Sequence, residues 1–142
     1  MNFGDAGDGT LEMLFEAARR AARRAYAPYS NFRVGSALRL KDGAIVTGVN
    51  VENASYGMTI CAERAALVRA VTEHGPGIRI VGVAVANLNE AASPPCGACR
   101  QMLSEFTEPD APVVFQAGDG VRVMPFSEVF PLVFEFKPDE KI

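Results

Sequence analysis

The stretch Ile78-Arg79-Ile80-Val81-Gly82-Val83-Ala84-Val85-Ala86, with Cys61-Ala62-Glu63 before it and Pro95-Cys96-Gly97-Ala98-Cys99 after it, decides the fold. A near-continuous apolar run of this length reads as a central strand covered on both faces, because a strand with one wet face would alternate. Before it, a helix opening at Cys61 continues through Ala65, Ala66, Leu67, Val68 and Val71 until His74-Gly75-Pro76-Gly77 stops it. After it comes a loop over residues 87–94. Proline at position 95 then suits a helix start, and residues 96 to about 106 read as a second helix. Helix, central strand and helix in succession are the unit of a layered α/β domain.

Working outward, Thr10 reads as an N-cap for a helix with Leu11, Leu14, Phe15, Ala18, Ala22 and Ala25 on one face, stopping before Pro28. Arg19, Arg20, Arg23 and Arg24 fall on its other side, and a solvated or subunit-contacting face explains them better than a nucleic-acid patch. Residues 33–40 and 44–52 are strand-like, and Lys41-Asp42-Gly43 between them carries the Asp-Gly signal of a hairpin. Strands are also expected at 113–117 and 121–124, around Gly118-Asp119-Gly120, with a short helical turn near Ser127. Residues 1–9 and 137–142 read as polar tails, leaving one α/β domain over 10–136 with helices on both faces of one sheet.

Composition narrows the function. At 142 residues and 49% hydrophobic content the chain can bury a sizeable core. Its 14 Lys and Arg against 17 Asp and Glu, a net charge of -3, argue against a nucleic-acid or anionic-membrane partner and favour a small neutral substrate. The first residues lack a cationic segment followed by an apolar one, and no apolar run is long enough for a bilayer, so a cytoplasmic protein is expected. Three cysteines without a secretion signal do not describe a disulfide framework; Cys-x-x-Cys in a reducing compartment is metal-binding or redox. Redox chemistry needs only the pair and leaves Cys61-Ala62-Glu63 unexplained.

Three thiolates suit zinc, and a catalytic zinc takes three protein ligands and keeps a position open. The sole histidine, His74, lies about 20 Å along the helix axis from Cys61, at about 1.5 Å per residue, too far to share that ion. Glu63 is two residues from Cys61, and i,i+2 side chains diverge on a helix, so it reads as a general acid/base beside the metal. Cysteines at helix starts meet unpaired N–H groups and the positive end of the helix dipole, which favour thiolates. Three thiolates leave a zinc site one negative charge in excess, and Arg64 is placed to donate to ligand sulfurs and offset it. The hairpin delivers Asn50 and Glu52 to the edge of the metal site. Unremarkable readings exist for the remaining groups: Phe32 and Phe134 as core, Tyr56 as a buried ring, Asn50 as a turn residue.

These motifs together resemble the zinc-dependent deaminase signature, in its three-cysteine form. Tyr26-Ala27-Pro28-Tyr29-Ser30-Asn31-Phe32-Arg33-Val34-Gly35-Ser36-Ala37-Leu38, Asn50-Val51-Glu52-Asn53-Ala54-Ser55-Tyr56 and Cys96-Gly97-Ala98-Cys99-Arg100-Gln101 are similar to segments of the small homotetrameric cytidine deaminases. The resemblance implies a three-layer α/β/α fold on a mixed sheet. It implies one zinc per protomer on Cys61, Cys96 and Cys99, with Glu63 moving protons between water, ring N3 and the leaving ammonia. Asn50 and Glu52 would bind the ribose hydroxyls, Phe32 would pack on the pyrimidine, and Ala62 would line the same site. Ala54 and Tyr56 would line a neighbouring subunit's site. The family's Leu-Pro-x-x-Phe stands here as Phe130-Pro131-Leu132-Val133-Phe134, so Phe134 would cover a base across an interface. The implied reaction is hydrolysis of cytidine or 2'-deoxycytidine to the uracil nucleoside, in pyrimidine salvage. The alternatives are deamination of a related cytosine nucleoside such as blasticidin S, against which Asn50-Val51-Glu52-Asn53 speaks, and a non-catalytic zinc-stabilised domain.

Overall fold

A computed structural model describes residues 9–118 and 120–138. Of the two expected tails, residues 1–8 and 139–142 lie outside the described residues, as does Asp119 in the expected 118–120 turn. In chain order the elements are α1 (Thr10–Ala22), β1 (Val34–Leu40), β2 (Ile45–Val49), a 3-10 turn (Tyr56–Met58), α2 (Ala62–His74), β3 (Ile80–Asn87), α3 (Gly97–Ser104), β4 (Pro112–Ala117), β5 (Gly120–Pro125) and α4 (Phe126–Val129).

The strands form one mixed sheet in the order β2-β1-β3-β4-β5, in which only β3 and β4 run parallel. A parallel pair needs a long crossover, and α3 supplies it. The central strand is the apolar stretch on which the sequence reading turned, and alternation within it divides the core in two. Ala84 and Ala86, with Ala37 and Val114, meet Leu11, Leu14, Phe15 and Ala18 of α1. Val83 and Val85, with Leu38, Leu40, Val113 and Phe115, pack on the other face beneath Ala66, Leu67 and Ala70 of α2, Leu103 of α3 and Phe126 of α4. Small side chains on the α1 face let that helix lie close to the sheet. At Gly35 no Cβ could be added, because it would stand 2.0 Å from the Ala18 carbonyl oxygen.

At the outer edge of the sheet, the carbonyl of Thr47 on β2 accepts from Arg69 Nη1 at 3.2 Å, and Arg69 is held in turn by Glu73 at 2.6 Å. The turn between β1 and β2 is the expected one: Asp42 Oδ1 accepts from Ala44 N at 2.9 Å, and Gly43 adopts a φ of 96°.

Beyond shifts of one or two residues, two boundaries differ from the sequence reading. The first helix ends at Ala22 instead of continuing through Ala25, and Thr10 is its first residue, not its N-cap, preceded by Gly9 at φ 77°. The amides of Arg23, Arg24 and Ala25 each bond three residues back, tightening the chain until Tyr26 leaves to bond the backbone of Asn50 and Glu52. Tertiary pairing thus outcompetes helix continuation. Likewise β2 ends at Val49, not position 52, because the Asn50 side chain takes over: its Oδ1 accepts from Val34 N at 2.9 Å and its Nδ2 donates to Phe32 O at 2.8 Å.

Candidate metal centre and substrate cavity

The N-termini of α2 and α3 converge at one place, and the cysteines sit there because each begins or opens a helix. Cys61 is the residue before α2, Cys96 the residue before α3, and Cys99 lies in the first turn of α3. Their sulfurs all fall within 4.8 Å of one another, with Cys61 to Cys96 at 3.7 Å and Cys96 to Cys99 at 3.3 Å. Sulfurs bound tetrahedrally at about 2.3 Å to one ion would be about 3.8 Å apart, so the cluster is pre-shaped for zinc. As thiols they can hydrogen-bond one another, but as three thiolates they would need a compensating cation.

Arg64 supplies part of the compensation. Its Nη2 donates to Thr59 O at 3.3 Å and approaches Cys61 Sγ at 3.8 Å, while its buried Nε has no partner among the described residues. The hydrogen bond from the Cys99 thiol, then Arg64 and Cys96, draw the Cys61 thiol down to about 5 against its burial. That same hydrogen bond, followed by burial, pushes Cys99 well above the ordinary thiol range. The cluster thus favours charge on Cys61 over Cys99, and an ion that takes all three sulfurs as thiolates releases the protons they hold.

Glu63, 4% exposed, points from the first turn of α2 beside the cluster without joining it. Burial, reinforced by the negative charge of Cys61, raises its carboxyl to about 7, where it can both take and give a proton near neutrality. Together with Cys61, Cys96, Ala62, Phe32, Val34 and Asn50 it lines a cavity of about 320 Å³, at the small end of the ~300–1,000 Å³ range for small-molecule sites. His74 is exposed at the far end of α2 and lines a separate depression with Lys41 and Asp42, as its spacing required.

The remaining expected site residues divide. Phe32 and Asn50 are in the cavity wall. Glu52 does not line it: Oε1 accepts from Tyr29 N at 3.0 Å and Ser30 N at 3.2 Å, and Oε2 accepts from the Ser30 hydroxyl. These bonds, Ser30 Oγ first, hold its carboxyl below the usual range. Because Ser30 Oγ also accepts from Phe32 N at 3.0 Å, Glu52 fixes the loop that carries Phe32. Ala54, Tyr56 and Phe134 are exposed and outside this cavity, Tyr56 by 78% and Phe134 by 71%, so neither ring is the buried group its unremarkable reading required.

The sequence reading missed the support for the cavity's opposite wall, formed by Ala92, Ser93 and Pro94. Asn87, 1% exposed at the end of β3, donates from Nδ2 to Ala91 O and Ser93 Oγ, both at 2.9 Å, and accepts at Oδ1 from Asn89 N and Ala91 N. Gln116 closes the network, its Oε1 accepting from Asn87 N and its carbonyl from Ser93 N. An Asn where a strand turns into a loop was the available signal. Asn87→Ala is expected to cost about 1–3 kcal/mol, the scale of stranding buried polar partners, and to raise KM for the cavity's ligand. Thermal unfolding alongside steady-state kinetics checks both; an unchanged Tm would contradict the network's role.

Comparison with known proteins places these features together. Residues 9–116 match the family model for the cytidine and deoxycytidylate deaminase zinc-binding region. The chain is 44% identical over 125 residues to a cytidine deaminase of Halalkalibacterium halodurans, covering 87% of this chain and 92% of that one. A crystal structure of cytidine deaminase from Burkholderia pseudomallei superposes with a TM-score of 0.79 at 44% identity, covering 88% of this chain and 99% of that one. One from Mycobacterium tuberculosis gives a TM-score of 0.75 at 36% identity over 88% of this chain and 97% of that one.

Proposed function

The chain belongs to the cytidine and deoxycytidylate deaminase family, and on that footing we propose that it hydrolyses cytidine and 2'-deoxycytidine to the uracil nucleosides with release of ammonia. The observation that carries the reading is Glu63, buried in a ligand-sized cavity beside three clustered cysteine sulfurs and not among them. A purely structural metal site has no use for such a carboxylate.

Cys61, Cys96 and Cys99 would hold the zinc, with Arg64 donating to Cys61. When bound, zinc contributes Lewis acidity and makes water a nucleophile at neutral pH. Glu63 accepts a proton from that water and delivers it to ring N3, so that C4 is attacked as its bond order to N3 falls. Glu63 then carries the proton of the new C4 hydroxyl to the exocyclic nitrogen, the C4–N4 bond breaks, and ammonia leaves a C4 carbonyl. Phe32 packs the base. Asn50 has spent one lone pair and one N–H on the backbone of Val34 and Phe32, and its remaining acceptor and donor are available to a ribose hydroxyl. Glu52, outside the cavity wall, retains acceptor capacity on Oε2 beyond the Ser30 hydroxyl for a ribose hydroxyl that extends past the cavity. An ultraviolet assay for loss of cytidine, with zinc quantified in the same preparation, tests the proposal; zinc-replete protein without turnover would overturn it.

The working unit is a homotetramer with shared sites. Leu132, Phe134 and Phe136 are 91%, 71% and 73% exposed, and the Gln101 side chain holds the Phe134 carbonyl at 3.2 Å beside α3. An apolar run this exposed favours cover by another chain, and Phe134, Tyr56 and Ala54 would complete the cavity next door. Mixing Phe134→Ala with Glu63→Gln protomers is then expected to restore activity, since one chain contributes Glu63 and its neighbour Phe134. Absence of recovery despite demonstrated subunit exchange, or a fully active monomer, would remove the sharing. Three free thiols and a nucleoside product agree with a cytoplasmic enzyme of pyrimidine salvage.

A further inference from the structure

Gly48 lies on β2 next to Gly35 on β1, in the register Gly35 to Val49 and Ser36 to Gly48, yet the two glycines face different helices. A Cβ on Gly35 would strike α1, at Ala18 O and Ala22 N. A Cβ on Gly48 would strike the first turn of α2, 2.3 Å from Ala66 N, 2.7 Å from Ala62 O and 2.8 Å from Ala66 Cα. All three are backbone atoms, so no side-chain rotation can relieve the contact; the turn itself must move. Gly48 does not have the left-handed φ that would demand glycine for conformational reasons. Its lack of a side chain is needed only for this approach.

That turn contains Glu63 and Ala62 and is preceded by Cys61. The other two sulfurs are held independently of β2. Arg100 of α3 donates from Nε to Pro95 O at 2.6 Å and from Nη1 to Val129 O at 2.9 Å, tying the start of α3 to α4. Displacing the α2 turn would therefore move Cys61 and Glu63 directly, and Cys96 and Cys99 only indirectly, where α2 meets α3. We infer that Gly48 is a positioning residue: the contact of β2 with the first turn of α2 sets how far Cys61 and Glu63 stand from Cys96 and Cys99. The inference rests on the zinc-site reading above.

The test is Gly48→Ala beside Gly35→Ala, two matched helix-to-sheet clashes of which only the first touches the zinc-bearing turn. In the zinc-loaded protein, release of zinc to a colorimetric chelator is measured with Tm, kcat and KM for cytidine. Both variants are expected to lose Tm. Gly48→Ala alone is expected to release zinc about ten- to a hundredfold faster, the range for groups that orient metal ligands. Its kcat should fall by about a hundredfold, the effect of misplacing a catalytic group by an ångström, with little change in KM. Wild-type zinc release and kcat in folded Gly48→Ala, or equal losses in Gly35→Ala, would overturn the inference. Should Gly48→Ala fail to fold, Val46→Ala takes its place. Val46 is two residues earlier on the same face of β2, in the cluster with Ala66 and Ala70, and its loss lets the helix settle toward the strand. Faster zinc release is expected there also, and wild-type release would overturn the inference. Because the release measurement needs no substrate, a wild type that holds zinc but does not deaminate cytidine would sink the proposed reaction and leave this comparison standing.

Discussion

Glu63→Gln is expected to keep its zinc and its fold while turning cytidine over at least about a hundredfold more slowly, the lower end of general acid/base contributions. The amide has the shape of the acid but cannot take a proton from water or return it to N3 and the leaving nitrogen. Its effect on stability should run the other way. Burial and the Cys61 charge both disfavour the ionised Glu63 carboxylate, so a neutral isostere removes an unfavourable group from the interior and Tm should hold or rise. Zinc content, thermal unfolding and kcat on one preparation separate these outcomes. Substantial turnover in the zinc-replete variant would refute Glu63 as the proton carrier.

The second large effect belongs to the cluster itself. Cys99→Ser is expected to lose zinc and all measurable deamination, and to unfold at lower temperature. Cys99 is fully buried, and a metal present at a thousand times its dissociation constant stabilises the fold by about 4 kcal/mol that the variant forgoes. Chelator-treated wild type should show the same drop in Tm, reversed on adding zinc back; the serine variant should not respond. His74→Ala is the contrast: exposed and at the opposite end of α2, it should retain zinc and activity. Zinc lost from His74→Ala but kept by Cys99→Ser would reverse the ligand assignment.

What the sequence disclosed were features whose cause is local. The apolar run of β3, the Asp42-Gly43 turn and the helix-opening cysteines each carry their structural reason within a few neighbouring residues, and the separation of His74 from Cys61 follows from helix rise alone. What it hid depends on partners distant in the chain. Nothing near Ala22 signals the end of α1, because the cause is Tyr26 bonding to the backbone of Asn50 and Glu52. Asn87 reads as the first residue of a loop, and its role depends on Gln116, on another strand, which completes its network. Nothing in the residues beside Gly35 and Gly48 marks them, and only the helices lying across them reveal why no side chain fits. The sequence suggests Glu52 as a ribose ligand, but its grip on Ser30, and through it on the loop of Phe32, depends on partners more than twenty residues away and is not legible there.

The hold of Arg69 on the Thr47 carbonyl has a bearing on how copies of this chain can meet. Edge strands offer unpaired backbone groups on which another sheet can grow, and unchecked growth of that kind leads to aggregates. Here a guanidinium, itself restrained by Glu73, occupies an outward acceptor of β2 and places a charged, bulky group where a sixth strand would have to lie. Extension of the sheet from one molecule into the next is thereby obstructed on this side, which leaves surfaces built from side chains as the ones open to a partner.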